Sequence, residues 1–447
     1  MSVPLRGSFP MRVVSLELNE LNFHYVKAYS AKGLLPNFTR LLAGRDLVET
    51  DAGEVYPQLE PWIQWPTVYT GKAYAEHGIF RLGDIMYKDQ PQIWDYLEQR
   101  GVSVGAISPM NASNRCIDPA FFLPDPWTHA KIVAEPRAAK LFGLLGKIVN
   151  ENASSDASVA GFARQILPLA LPYLSSRSIA GYFKILPMAL RYKWAKAAFL
   201  DRLLGDLFVS LWQKQKPGFS SLFLNAGAHI QHHHTYDSAA YDGAKANPAW
   251  YSKAAETDVD PLLFIYQVYD EMVGELMALK DMHLFITTGL SQVPNERDHY
   301  QYRIVDFDDF FAKVGLTGAT IRPRMSRDFL LEFATAEAAQ AALPVLDKVR
   351  VGEKSLFTVE ERGETLFCQV GYFGKPEGLK ALSIDGVQGD FSTAFVLVSI
   401  ENAIHQATGY HIDTLAPKGG EQRVPLTEVF NRLCSAALDA GTVQQAA

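Results

Sequence analysis

Only three cysteines, Cys116, Cys368 and Cys434, occur in 447 residues, and no two form a CxxC pair. A disulfide framework and a cysteine-built structural zinc site are therefore not expected. A reducing, cytoplasmic compartment fits such a chain. No uncharged run of about 18 apolar residues occurs, so no transmembrane helix is predicted. Met1 to Pro10 is polar and lacks an apolar h-region, so no signal peptide is expected. Internal repeats and low-complexity tracts are absent as well. Positive charge is in deficit: 42 Lys and Arg face 49 Asp and Glu, a net charge of -7. A dedicated nucleic-acid binder normally shows the opposite balance, so no nucleic-acid partner is expected.

What the chain has is apolar residues, 48% of the total, against 20% charged. That suffices for a large buried core. Met11–Leu18 is a short run rich in Val and Leu, suited to a buried parallel strand. Asn22–Ala43 reads as helix broken at Gly33 and Pro36, Asp46–Thr50 as strand, Pro61–Tyr69 and Ile93–Arg100 as helix, and Val102–Ile107 as strand. This alternation predicts a doubly wound, mostly parallel α/β sheet. From about 111 to 218 strand signals fade and four long helical stretches follow one another, which predicts a helical cap insertion. Strand patterns return at Ser220–Leu224 and His283–Thr287, and a small α+β insertion is expected near 328–390. The predicted organisation is core (11–110), cap (111–218), core (219–327), small insertion (328–390) and core again (391–440).

Ligands of open parallel sheets collect at the carboxyl ends of the strands. There the chain offers Glu17, Asn19 and Glu20 after the first strand and Glu60 before the Pro61 helix. His229, His232, His233 and His234 follow the Ser220 strand, Thr288-Gly289 follows the next, and His411 and Asp413 lie near the end. Carboxylates in unlike environments suit general acid/base work, which makes Glu17, Asn19 and Glu60 the catalytic candidates. Glu20 serves equally well as a helix-start charge. Histidines three and four apart share a helix face. His229, His232 and His233, joined by His411, are therefore a candidate set for one divalent transition metal, zinc before others. His234 is expected to point away. Trp62 and Trp65 are candidates for a substrate platform, and Arg324 and Arg327 for anion binding. His77 and Asp413 are placed to orient ligands. In the cap, basic residues alternate with aromatics between Tyr182 and Trp194, which suits a solvated helix or peripheral membrane contact.

The ordered set Leu35-Pro36-Asn37-Phe38-Thr39-Arg40-Leu41, Trp65-Pro66-Thr67-Val68-Tyr69-Thr70-Gly71, Glu76-His77-Gly78-Ile79 and Ile230-Gln231-His232 resembles the type I phosphodiesterase and nucleotide pyrophosphatase branch of the alkaline phosphatase superfamily. The resemblance implies that fold, two metal ions and phosphoester substrates. It also implies aspartate ligands where this chain has Asn19, Ala228 and Thr288, and a hydroxyl nucleophile where it has Glu60-Pro61. His232 and His411 are the matching histidines. The expected function is a divergent enzyme that hydrolyses or transfers a phosphoryl-type or glycosyl group of a small anionic or sugar substrate. A non-catalytic binding descendant and a transferase acting on a lipid-linked sugar are the alternatives.

Overall fold

The computed structural model describes residues 11–55, 58–151, 159–251, 259–323, 327–389 and 391–445. The chain divides into two compact units, the second of which runs from Pro294 to Ala403.

The first unit is built on an eight-stranded sheet. Its strands are β1 (Arg12–Leu18), β2 (Val48–Asp51), β3 (Val104–Ile107), β4 (Phe121–Leu123), β5 (Phe219–Leu224), β6 (Met282–Thr287), β7 (Thr408–Asp413) and β8 (Arg423–Pro425). Their spatial order is β8-β2-β7-β6-β1-β5-β3-β4. β1 pairs in parallel with β5 and with β6. β7 runs antiparallel to both its neighbours, β2 and β6. The predicted α/β class and mostly parallel sheet are what the structure has.

The sequence of β1 shows why it is central. Val14, Leu16 and Leu18 enter one core and Val13 enters the other. Successive side chains alternate across a sheet, and Val13 to Leu18 are all buried, so β1 is covered on both sides. On the first face lie α1 (Phe23–Ala31) and α2 (Pro36–Gly44), with Phe23, Tyr29, Phe38 and Leu41 buried. On the second face α3 (Pro61–Thr70) brings Trp65, Val68 and Tyr69. It is followed by α4 (Tyr74–His77) and α5 (Ile93–Glu98). Each fully buried Leu, Val or Phe contributes roughly 1.5–3 kcal/mol.

The predicted helical stretch is four helices: α6 (Pro136–Glu151), α7 (Val159–Ala170), α8 (Ser176–Arg191) and α9 (Ala195–Gln215). α10 (Ala226–His234) follows β5 directly, and α11 (Pro261–Met277) precedes β6. The chain closes the unit with a helix at Glu428–Gln445. Gly409 in β7 is required by close approach: a Cβ there would stand 2.2 Å from the carbonyl oxygen of Gly289. Among the described residues, no helix is long and apolar enough to cross a membrane.

The second unit has its own four-stranded antiparallel sheet, ordered Phe357–Arg362, Thr365–Val370, Asp328–Glu332, Thr320–Pro323. Phe310, Phe311, Phe329 and Phe357 pack ring against ring in its core.

Candidate functional site

At the carboxyl edge of the sheet the backbone of β1 continues across its neighbours. The Asn19 N–H donates to Leu224 O and the Glu20 N–H to Thr288 O, both at 3.0 Å. Glu20 then takes φ +58°. A left-handed backbone is uncommon for a residue with a Cβ and needs surroundings that hold it. Those surroundings are present. Gln231 Nε2 donates to the Glu20 carbonyl at 2.9 Å, while Gln231 Oε1 accepts from the Asn22 N–H at 3.2 Å. Asn22, not Glu20, caps α1, its Oδ1 accepting from the His24 N–H at 2.7 Å.

The Glu20 side chain is thereby left to face the crevice, where it meets two imidazoles. Glu20 Oε2 lies 3.1 Å from His232 Nε2 and 3.0 Å from His405 Nε2. The two nitrogens are 3.1 Å from each other. Glu20 is fully enclosed by the protein. Burial pushes its carboxyl up, but the two imidazoles outweigh this and hold it well below the ordinary carboxylate range. Its other oxygen accepts from Asn19 Nδ2 at 2.9 Å, and Gln292 Nε2 also donates to Oε2. Asn19 is itself fixed, donating to Asn225 Oδ1 at 2.7 Å and accepting from Trp65 Nε1 at 2.6 Å.

Glu60 supports the group from behind. It stands at the N-cap of α3 but makes no side-chain cap hydrogen bond. Its Oε2 lies 3.5 Å from His405 Nδ1, the ring nitrogen opposite the one that faces Glu20. A carboxylate behind an imidazole fixes its tautomer and aims the other nitrogen at a metal.

These residues suit a divalent cation. Bonds of about 2.0–2.1 Å to N and O set donors on one face roughly 2.9 Å apart in octahedral and 3.4 Å in tetrahedral coordination. The three separations of 3.0–3.1 Å lie between these two values. Glu20, His232 and His405 are the one group of this kind among the described residues.

The four-histidine set expected from the sequence is not what assembles. Only His232 belongs to the group. His229 and His233 meet each other, ring centroids 4.8 Å apart. His234 turns to Asp237 at 2.9 Å. His411 is buried in β7, shares a hydrogen bond with Thr287 Oγ1 at 2.9 Å and stacks on Phe285. Burial lowers its pKa to about 3, so it is neutral.

The remaining candidates are placed as follows. Glu17 lies below the crevice in the second core, accepting from Tyr69 Oη at 2.7 Å and Ser15 Oγ at 3.2 Å. Burial raises its pKa to about 8. Trp65 is enclosed between Tyr69 and Phe223, so it packs beneath Asn19 and offers no open platform. Trp62 is half-buried and donates to Phe80 O at 3.2 Å. His77 is buried, accepts from the Ile79 N–H at 3.0 Å and meets Thr67 Oγ1 at 3.2 Å. Desolvation lowers its pKa to about 4. Asp413 pairs with His283 at 2.6 Å and accepts from the Leu415 N–H at the turn after β7. Arg327 belongs to the second unit, beside Asp328 and over the Phe373 ring. Arg324 lies outside the described residues.

His405 is the residue that the sequence reading missed. Its signal was topological. β7 is antiparallel, so its N-terminal end lies at the carboxyl edge of the parallel strands, and residues just before Thr408 arrive at the crevice.

No family model matches the chain, and no curated protein does. Solved structures are similar to it over nearly its full length. Phosphonoacetate hydrolase from Sinorhizobium meliloti 1021, in complex with phosphonoformate, is 12% identical, with 96% of each chain covered and a TM-score of 0.45. Murine ectonucleotide pyrophosphatase/phosphodiesterase 5 is 11% identical over 96% of this chain and 95% of its own, with a TM-score of 0.40. A magnesium-bound mutant of TAB5 alkaline phosphatase is 10% identical over 96% and 99%, with a TM-score of 0.41. All three are members of the alkaline phosphatase superfamily, which the sequence motifs resemble. Likeness at these scores bears on neither the site nor its reaction.

Proposed function

We propose that this chain is a metal-dependent enzyme that hydrolyses or transfers a phosphoryl-type group, with a single divalent ion held by Glu20, His232 and His405. The observation that carries this reading is the triangle of one carboxylate oxygen and two imidazole nitrogens, with edges of 3.0–3.1 Å, at the carboxyl edge of a parallel sheet. Two imidazoles and a carboxylate suit zinc, and also ferrous iron. Zinc is the ion proposed. A bound divalent ion supplies Lewis-acid charge toward a phosphoryl oxygen and lowers the pKa of water.

The protein's own groups then have defined tasks. Glu20 supplies negative charge in a buried setting. Asn19 and Gln292 hold its carboxylate by donating to it. Glu60 keeps the proton of His405 on Nδ1 and its Nε2 toward the crevice. No hydroxyl stands at Glu60-Pro61, where the resemblance would put a nucleophile. Attack by water, without a covalent intermediate on the chain, is the reading this supports.

The same missing hydroxyl favours a second reading, binding of an anionic ligand without turnover. Elemental analysis of the purified chain, followed by a panel of phosphodiesters, phosphomonoesters, sulfate esters and nucleotide sugars, separates the two. Metal together with turnover of a phosphoester, both lost in His232→Ala, is the expected result. Metal without turnover leaves the binding reading. Neither metal nor turnover overturns the proposal.

A further inference from the structure

The helical segment carries an apolar surface that faces away from its core. In α8, Tyr182 and Ile185 point inward, Tyr182 stacking edge-on against Phe199 and donating to Asp206 at 2.8 Å. Ile179, Phe183, Leu186 and Leu190 instead face out, at 45%, 76%, 44% and 71% exposure. At about 100° per residue these four fall within an arc of roughly 60°. They form a stripe of large side chains left in water. On α7, Leu167 and Leu171 just beyond it, four residues apart, are exposed too.

Charge marks what the stripe fits. Between Asp156 and Asp201 there is no carboxylate, while Arg164, Arg177, Lys184, Arg191, Lys193 and Lys196 are all basic. Overall the chain is acidic, so this segment stands out against it. Arg177, Lys184 and Arg191 recur every seven residues and form a ridge of their own on α8. Lys184 already meets Glu271 at 2.6 Å, so Arg177 and Arg191 carry most of the ridge's outward charge.

We infer that α8 seats the chain on the surface of an anionic phospholipid bilayer. Its apolar stripe enters the boundary between headgroups and acyl chains, and Arg191, the member of the ridge nearest the stripe, reaches lipid phosphates. An amphipathic helix with large apolar side chains and Lys or Arg on a second face binds in this way. The helix lies on the surface, since no described helix is fit to cross a membrane. A second copy of the chain is a poorer occupant. A two-fold contact on this patch sets Arg177 and Arg191 against the same residues of the second copy, and the neighbouring carboxylate of Glu271 is already paired with Lys184.

The test is flotation of the full chain with vesicles of phosphatidylcholine, alone or mixed with about one-third phosphatidylserine. Wild type floats with the anionic vesicles, about tenfold more weakly with the neutral ones, and binding falls as salt is raised. Phe183→Ser/Leu190→Ser and, separately, Ile179→Ser/Leu186→Ser each reduce anionic binding about tenfold while melting stays at the wild-type value. The exposure of these side chains protects the fold, and two independent pairs guard against one misfolding. Failure of wild type to float with anionic vesicles overturns the inference. So does wild-type binding by both double variants. Sedimentation velocity supplies the last outcome against it: a wild-type dimer that Phe183→Ser/Leu190→Ser turns into monomer makes this face a contact between copies.

Discussion

Glu60 Oε2 stands 3.5 Å from Nδ1 of His405, while Nε2 of the same ring stands 3.0 Å from Glu20 Oε2. One imidazole is thus held between two carboxylates of different duty. Glu20 is enclosed and faces the crevice, and Glu60 starts a helix without capping it. Glu60→Gln keeps the shape and a carbonyl acceptor but removes the charge behind the ring. The expected outcome is a loss of about 10–100-fold in metal affinity with the fold unchanged. Competition with a chelator of known strength measures it. Affinity equal to wild type shows that Glu60 does not set the orientation of His405.

His411 and His405 are six residues apart, yet only His405 is at the site. His411 is neutral because burial lowers its pKa to about 3 from the ordinary 6.5. A folded pKa below the unfolded one gives stability that is fully present above about pH 6.5 and is lost as pH falls toward 3. His411→Gln should therefore keep wild-type metal content and flatten the acid side of the stability profile between those pH values. His405→Ala, by contrast, should lose the metal. Loss of metal from His411→Gln would return it to the ligand set.

Much of the fold could be read from local pattern. Val14, Leu16 and Leu18 make one side of β1 apolar, and Gly33 and Pro36 break α1 from α2 because the one turns left-handed and the other begins a helix. His232 could be read because it shares a helix face with a histidine three residues before it and because Ile230-Gln231-His232 is part of the resemblance. Glu20 could not be told from a helix cap, because both need a carboxylate before Phe23. Its left-handed backbone, fixed by Gln231 from a distant helix, decides between them. His405 was hidden for a different reason. Which of two nearby histidines reaches the crevice depends on the direction of β7, and short strands carry no mark of direction.

Glu17 and Tyr69 make the buried carboxyl below the site a pH-dependent term in stability. Burial raises the Glu17 pKa to about 8 from an ordinary 4.5. A raised folded pKa gives stability that is fully present below about pH 4.5 and is lost as pH rises through about 8. Glu17→Gln replaces the protonated acid with a neutral amide of the same shape. The variant should match wild type near pH 4.5 and exceed it above pH 8, by roughly 1–4 kcal/mol. Urea unfolding at the two pH values measures this. Equal stabilities at high pH mean that Glu17 ionises as easily in the folded chain as in the unfolded one.

Asn19 occupies a position where the resemblance implies an aspartate ligand, and the structure shows what its amide does there. Nδ2 donates to Glu20 Oε1 and to Asn225 Oδ1, and Oδ1 accepts from Trp65 Nε1. Asn19→Asp keeps the acceptor for Trp65, removes both donations and sets a second carboxylate against a buried, ionised Glu20. Without metal the variant should lose roughly 2–4 kcal/mol, because two acceptors go unmet and two like charges share an enclosed space. With metal the sign of the interaction changes, since the new carboxylate adds to the charge that holds a cation. A ligand at about 100 times its Kd returns roughly 2.7 kcal/mol, so zinc should raise the melting temperature of Asn19→Asp more than that of wild type. Thermal melts of both proteins, stripped and then titrated with zinc, provide the comparison. An equal rise in the two would show that position 19 does not sense the ion. A stripped variant as stable as wild type would show that the amide donations to Glu20 and Asn225 contribute nothing.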